Sequence, residues 1–208
     1  MINRMTPVVK NLVIINALVF LAQSAMPGLE PLLMGHYPLG ANFEPWQVIT
    51  HMFMHGSLTH IFFNMFALVV FGSALERAWG SKRFLQYYML CGIGAFFIYE
   101  ATVGYEVFQL TDSISFKGLA GRVVGASGCV YGLLLGFGML FPNTELILLF
   151  PPIPIKAKYF VIFYGLIELS LAMSNSPGDN VAHVAHLGGM LFGFLLIKQW
   201  QNNRKNFY

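Results

Sequence analysis

Apolar residues run along this chain in blocks of fifteen to twenty, separated by short polar punctuation, the pattern of helices surrounded by hydrocarbon rather than water. The blocks predict six spans, at 12–26, 61–78, 84–103, 123–141, 159–173 and 181–200. Turn formers and charges mark their ends: Gly80 among Arg77, Lys82 and Arg83, Pro142 after the fourth block, and Pro177-Gly178-Asp179 before the sixth. Two stretches break the pattern. Pro27–His60 holds four prolines yet is too apolar for a solvated loop; Leu32, Leu33, Met34, Tyr37, Phe43, Met52, Phe53 and Met54 suggest a segment lying in the membrane interface, with Trp46 at headgroup level. Tyr105–Arg122, by contrast, has an ordinary soluble-loop composition. The expected fold is an all-α membrane protein, six helices in one domain over residues 1–208, with a membrane-embedded first loop.

Composition agrees, since 56% of the 208 residues are hydrophobic and 10% are charged, against about 25% charged in soluble domains. Charge then orients the bundle. Six spans put Arg4, Lys10, Arg77, Lys82, Arg83, Lys156, Lys158, Lys198, Arg204 and Lys205 on one side and only Lys117 and Arg122 on the other, so both termini are expected in the cytoplasm. The basic start and short apolar core also resemble a signal peptide; an uncleaved first span is favoured, although charge alone leaves cleavage open. Cys91 and Cys129 sit in apolar runs and read as small buried hydrophobes. No basic tract or phosphate-cradling loop appears, so neither a nucleic-acid partner nor a cofactor is expected.

Candidate chemistry gathers at one depth. Gly128, Gly132 and Gly136 recur every fourth residue on the fourth block, leaving a stripe with almost no side chain, and Ala182, His186, Gly189 and Gly193 share one face of the sixth. Two such helices can approach closely. Ser127 opens the first of them, beside Gly125 and Ala126, and His186 lies about one turn into the second from the same end. A serine hydroxyl needs a base to attack a carbonyl, and a neutral imidazole is one; a capping serine and a hydrogen-bonded core histidine are the plainer readings, the latter also suiting His183. His60 and Asn64, four apart at the start of the second block, can both donate hydrogen bonds to an oxyanion, as can the free backbone N–H of Ser127. His51 and His55 have metal-like spacing with His60 but no accompanying carboxylate, so no metal is expected. The only aspartates, Asp112 and Asp179, fall in loops, which removes an aspartyl mechanism.

These residues resemble the rhomboid family of intramembrane serine proteases. The resemblance runs from Asn11 to Phe194 and rests on His60-x-x-x-Asn64, Gly125-Ala126-Ser127-Gly128 and Ala185-His186-Leu187-Gly188-Gly189-x-x-x-Gly193, in the family's order. It implies a dyad of Ser127 and His186 without a catalytic aspartate, with Tyr131 stacked on the histidine ring in place of a carboxylate. It also implies an oxyanion hole from His60, Asn64 and the Ser127 N–H. The Gly189/Gly193 face would contact the fourth span, and 159–173 would be a mobile lateral gate. Glu168 reads as the one acid deep in a crossing, paired with a histidine or a hydroxyl or else protonated, and the resemblance points to a structural rather than a chemical role for it.

Two departures stand out: Trp46-Gln47 where the family commonly has Trp-Arg, and the long 105–122 segment. The resemblance further implies transmembrane protein substrates, a compact six-helix bacterial form in the cell membrane, and a site open to the extracytoplasmic side. A catalytically silent relative that binds transmembrane helices is the rival reading. A transporter is disfavoured by the lack of repeats or paired midplane charges.

Overall fold

Helices form wherever the apolar blocks predict them. The computed structural model describes residues 5–111, 122–147, 152–174 and 181–202. The long helices are α1 (Pro7–Ala25), α4 (Leu58–Ala67) continuing through a π turn at Leu68–Gly72 into α5 (Ser73–Trp79), α6 (Ser81–Thr111), α7 (Ser127–Leu140), α8 (Ala157–Ser174) and α9 (His183–Asn202). Short helices α2 (Leu29–Leu33) and α3 (Gln47–Thr50) lie in the first loop. Among the described residues three rods are long and apolar enough to cross a membrane, Pro7–Ala25, Leu58–Trp79 and Ala157–Ser174; α7 is apolar but shorter.

Local chemistry sets the boundaries. Pro7 opens α1 at a position where its missing N–H costs nothing. The Ser57 side chain accepts from the His60 N–H at 3.1 Å and so starts α4, fixing His60 in its first turn. Gly80, at φ +78°, ends α5 and lets α6 begin one residue later. One expectation fails. Tyr105–Thr111, read as loop, continues α6, because Val103 and Val107 lie one turn apart and pack with Tyr37 of the first loop. The rest of that segment, with Asp112 and Lys117, lies outside the described residues, as do Arg4, Asp179, Arg204 and Lys205.

The interior is built by α6, α7 and α9, with Tyr87, Cys91, Cys129, Leu133 and Ile197 fully buried among them. Both cysteines are free and buried, as read from the sequence. Contact there is at backbone distance. A methyl on Gly94 would lie 2.1 Å from Phe192, one on Gly132 2.5 Å from Cys91 Sγ, and one on Gly188 2.9 Å from Ile98. Lipid supplies no hydrophobic drive between helices, so such close packing has to hold them. The outer helices instead turn apolar side chains outward: Leu18 and Leu21 on α1, Phe62 and Phe63 on α4, and Ile162, Phe163 and Leu166 on α8 are all exposed. A surface of this kind suits hydrocarbon and would be an aggregation site in water.

Two small antiparallel pairings fasten the loops. Strand β1 (Gly35–His36) of the first loop pairs with β2 (Arg122–Val123), just before α7. Strands β3 (Glu145–Ile147) and β4 (Pro154–Lys156) pair between α7 and α8. Within the first loop Gln47, which stands where the resemblance leads one to expect an arginine, is wholly buried. Its Nε2 reaches the carbonyls of Leu32 and Asn42 at 3.3 Å, and its Oε1 accepts from the Glu44 N–H at 3.1 Å. A neutral amide thus ties together a loop whose Leu32, Leu39, Trp46 and Ile49 face outward, as an interfacial segment requires.

At the opposite end of the bundle, Glu76 of α5 receives the backbone N–H groups of Val8 and Val9 at 3.1 and 3.0 Å and the Ser81 hydroxyl at 2.7 Å. The carboxylate satisfies orphan donors of α1 and favours its positive dipole end. Glu76→Ala should therefore lower stability by about 2 kcal/mol, the scale of a charged hydrogen bond lost from a buried site. Thermal unfolding in detergent would register this as a lower midpoint, partly restored in Glu76→Gln; an unchanged midpoint in Glu76→Ala would contradict the capping role.

Candidate active site

The turn before α7 is where the serine is presented. Gly125 adopts φ +120°, a conformation closed to most side chains, and its N–H donates to the His51 carbonyl at 2.8 Å. A methyl on it would lie 2.7 and 2.8 Å from Cε1 and Nε2 of His60. One position therefore needs glycine twice, for its dihedral and for the imidazole packed on it. Two residues later Ser127 is the first residue of α7, half-buried, with its backbone N–H among those that an α-helix leaves without an internal partner.

Opposite the serine, α9 supplies His186. A methyl on Gly189 would fall 1.9 Å from the Gly128 carbonyl oxygen, and one on Gly132 3.1 Å from the Gly189 carbonyl, so α7 and α9 touch backbone to backbone. The crossing sets the Tyr131 and His186 rings face to face, with centroids 4.3 Å apart and planes 11° from parallel. Tyr131 follows Ser127 by four residues, so the ring stacked on the imidazole stands one turn beneath the hydroxyl. The glycine faces divide differently from expectation. Gly193 meets Tyr87 and Cys91 of α6 rather than α7, and Gly128 and Gly132 also abut Ala95 and Cys91 of α6. The reason is that α6 runs along both helices, so the small residues serve a three-helix junction.

His60 and Asn64 lie where the sequence puts them, on one face at the start of α4. Asn64 is buried and donates one amide hydrogen to the His60 carbonyl at 3.0 Å, which fixes its side chain and leaves a second hydrogen. His55 makes an edge contact with the His60 ring at 5.0 Å, and His51 packs on Phe96 with its Nδ1 2.7 Å from the Gln47 carbonyl. Burial pushes both imidazoles down to about 4, so the wall behind His60 is uncharged at neutral pH. Among the described residues neither histidine joins a cluster of metal-ligand spacing.

Of the partners the sequence left open for Glu168, a histidine and a hydroxyl are both found, and the histidine is His186 itself. Glu168 of α8, 5% exposed, places Oε2 2.8 Å from His186 Nδ1 and 2.7 Å from His183 Nδ1, and its Oε1 accepts from the Tyr131 hydroxyl. His183 is thus the hydrogen-bonded core histidine that the sequence suggested. The expectation that packing alone holds His186 is amended, because stack and carboxylate are both present. Glu168, His183 and His186 are also the one set of donors, among the described residues, close enough together to hold a metal; here they satisfy one another. Nor is Glu168 the only buried acid. Glu76 and Glu100 are buried too, and neither oxygen of Glu100 has a partner among the described residues.

Comparison with known proteins assigns the chain to a family. The family model described as the Rhomboid domain matches residues 42–199. The chain is 31% identical over 171 residues to "Rhomboid protease AarA" of Providencia stuartii, covering 77% of this chain and 57% of that protein. It is 34% identical over 163 residues to "Putative rhomboid protease YdcA" of Bacillus subtilis (strain 168), covering 77% and 70%. With "RHOMBOID-like protein 6, mitochondrial" of Arabidopsis thaliana it shares 31% over 166 residues, covering 79% and 48%. The chain therefore spans between 48% and 70% of the length of these relatives.

The α7–α9 crossing leaves no space for a β-carbon. Gly189→Ala should destabilise the protein by about 1–3 kcal/mol or more, the scale of core overpacking, and Gly189→Leu should force the helices apart. Unfolding midpoints in detergent would fall in that order; a Gly189→Leu protein as stable as wild type would overturn the packing described.

Proposed function

The chain belongs to the rhomboid family and is an integral membrane protein, and from that premise we propose that it is a serine endopeptidase cleaving other membrane proteins in or beside their transmembrane segments. The observation that supports this most is the His186 ring stacked on Tyr131 one turn below Ser127, on helices in backbone contact. That stack sets the base and the nucleophile on adjoining helices at the one crossing of α7 and α9.

In the proposed reaction the Ser127 Oγ attacks the scissile carbonyl carbon while His186 Nε2 takes the hydroxyl proton. The tetrahedral oxyanion is received by the Ser127 N–H, Asn64 Nδ2 and the His60 ring. Collapse of the intermediate breaks the C–N bond as His186 returns the proton to the leaving amine. Water, deprotonated by the same imidazole, then attacks the acyl ester and frees Ser127. The apolar blocks of the sequence support six membrane crossings, and the basic residues favour both termini in the cytoplasm of a bacterial cell, with the site toward the extracytoplasmic face. Favoured substrates would be helices that unwind readily, with a small residue before the cut.

The test is active-site labelling of the purified protein with a fluorophosphonate. Wild type should be labelled, and Ser127→Ala and His186→Ala should not. Asn64→Ala should react about 10²-fold more slowly, the usual loss for one oxyanion donor. A folded wild-type protein that takes no label would sink the protease reading and favour a helix-binding relative without activity.

A further inference from the structure

We infer that Glu168 is a positioning residue for the catalytic base, its carboxylate holding His186 by Nδ1 so that Nε2 is directed at Ser127. The inference rests on the assignment of Ser127 and His186 made above, and goes beyond a dyad steadied by stacking alone.

A stacked partner fixes the plane of an imidazole but not which edge faces the nucleophile, nor which nitrogen carries the proton. Tyr131 supplies only the first constraint. Glu168 supplies the other two. A carboxylate oxygen 2.8 Å from Nδ1 accepts a hydrogen bond only if the proton is on Nδ1, and that leaves the Nε2 lone pair free to take a proton from a hydroxyl. When Nε2 becomes protonated, the new cation forms beside an anion in a site shielded from water, where such an interaction is strong. Glu168 keeps its own charge throughout; the proton moves from Ser127 Oγ to His186 Nε2 and on to the leaving group.

The carboxylate is itself held. His183 Nδ1 shares Oε2 and the Tyr131 hydroxyl donates to Oε1, so three donors from α7 and α9 fix both oxygens. Tyr131 therefore acts twice, through its ring on His186 and through its hydroxyl on the group that orients His186. The position on α8 adds to the case. Ala157, Val161 and Glu168 form the buried stripe of α8, while Ile162, Phe163, Leu166 and Leu169 face outward. A lone carboxylate on a helix otherwise suited to lipid is costly, and it is spent here on the imidazole beside the nucleophile.

A merely structural pin between α8 and its neighbours makes a different forecast, and Glu168→Gln separates the two. The amide keeps the volume and one acceptor but cannot balance an imidazolium. Fluorophosphonate inactivation of the purified protein, resolved into a maximal rate kinact and a half-saturating concentration KI, is the measurement. With wild type labelled and Ser127→Ala blank, Glu168→Gln, assayed well below its own unfolding midpoint, should lose about 10²-fold in kinact, the lower end of what acid–base catalysis contributes, with KI unchanged. A wild-type kinact in that variant would overturn the positioning role and leave the protease reading intact, whereas an unlabelled wild type would overturn both. Should Glu168→Gln not fold, 15N spectra of histidine-labelled wild type decide, with His186 assigned by comparison with His186→Asn. The Nδ1–H tautomer at His186 is expected, and a predominant Nε2–H form would overturn the inference.

Discussion

Everything at the proposed site depends on one approach of two backbones. Where α7 meets α9, the Gly128 carbonyl occupies the space that a side chain on Gly189 would need. In a bilayer no water is released by joining two apolar helices, so their separation is decided by how small the facing residues are. At this distance the start of one helix, with Ser127, and the first turn of the other, with His186, lie side by side. The Tyr131–His186 stack is the visible result, since two rings can lie at 4.3 Å only if their helices are already this close.

A second constraint is that polar groups in such an interior must find one another. Glu76, Gln47 and Glu168 solve the problem in three ways: by capping a helix, by binding loop carbonyls, and by joining two histidines and a tyrosine. Each links elements far apart in sequence. Gln47 holds together the loop whose β1 strand pairs with the strand before α7 and whose His51 carbonyl anchors Gly125, so order in the loop and presentation of Ser127 are connected.

This also explains what could be read from the sequence. Features carried by local spacing were legible: the helical blocks, the four-residue interval from Ser127 to Tyr131, the pairing of His60 with Asn64, and the small-residue faces. Features that depend on how helices are rotated against one another were not. Glu168 is plain in the sequence, and so is its need of a histidine or hydroxyl partner, but that the partners are His186, His183 and Tyr131 follows from the packing of α8 on α9 and α7. Gly193 shares a stripe with Gly189, yet α6 takes it, because stripe membership does not say which of two neighbours is nearer. The end of α6 was misread for a similar reason: polar residues after Tyr105 suggest a loop, while Tyr37, some seventy residues earlier, provides the surface that keeps Val103 and Val107 helical.

The π turn at Leu68–Gly72 lies between two ends of one rod that answer to different partners. Above it, His60 packs on Gly125 with Asn64 on the same face; below it, Glu76 faces the start of α1. A wide turn of this type takes up one residue more than an α-helix would over the same path. Were the rod regular throughout, its two halves would be out of phase by about 100°, the rotation of a single residue, and either Glu76 or the His60 face would point into lipid. The irregularity thus serves as a phase corrector, allowing the capped end and the proposed oxyanion end of one helix to face inward together.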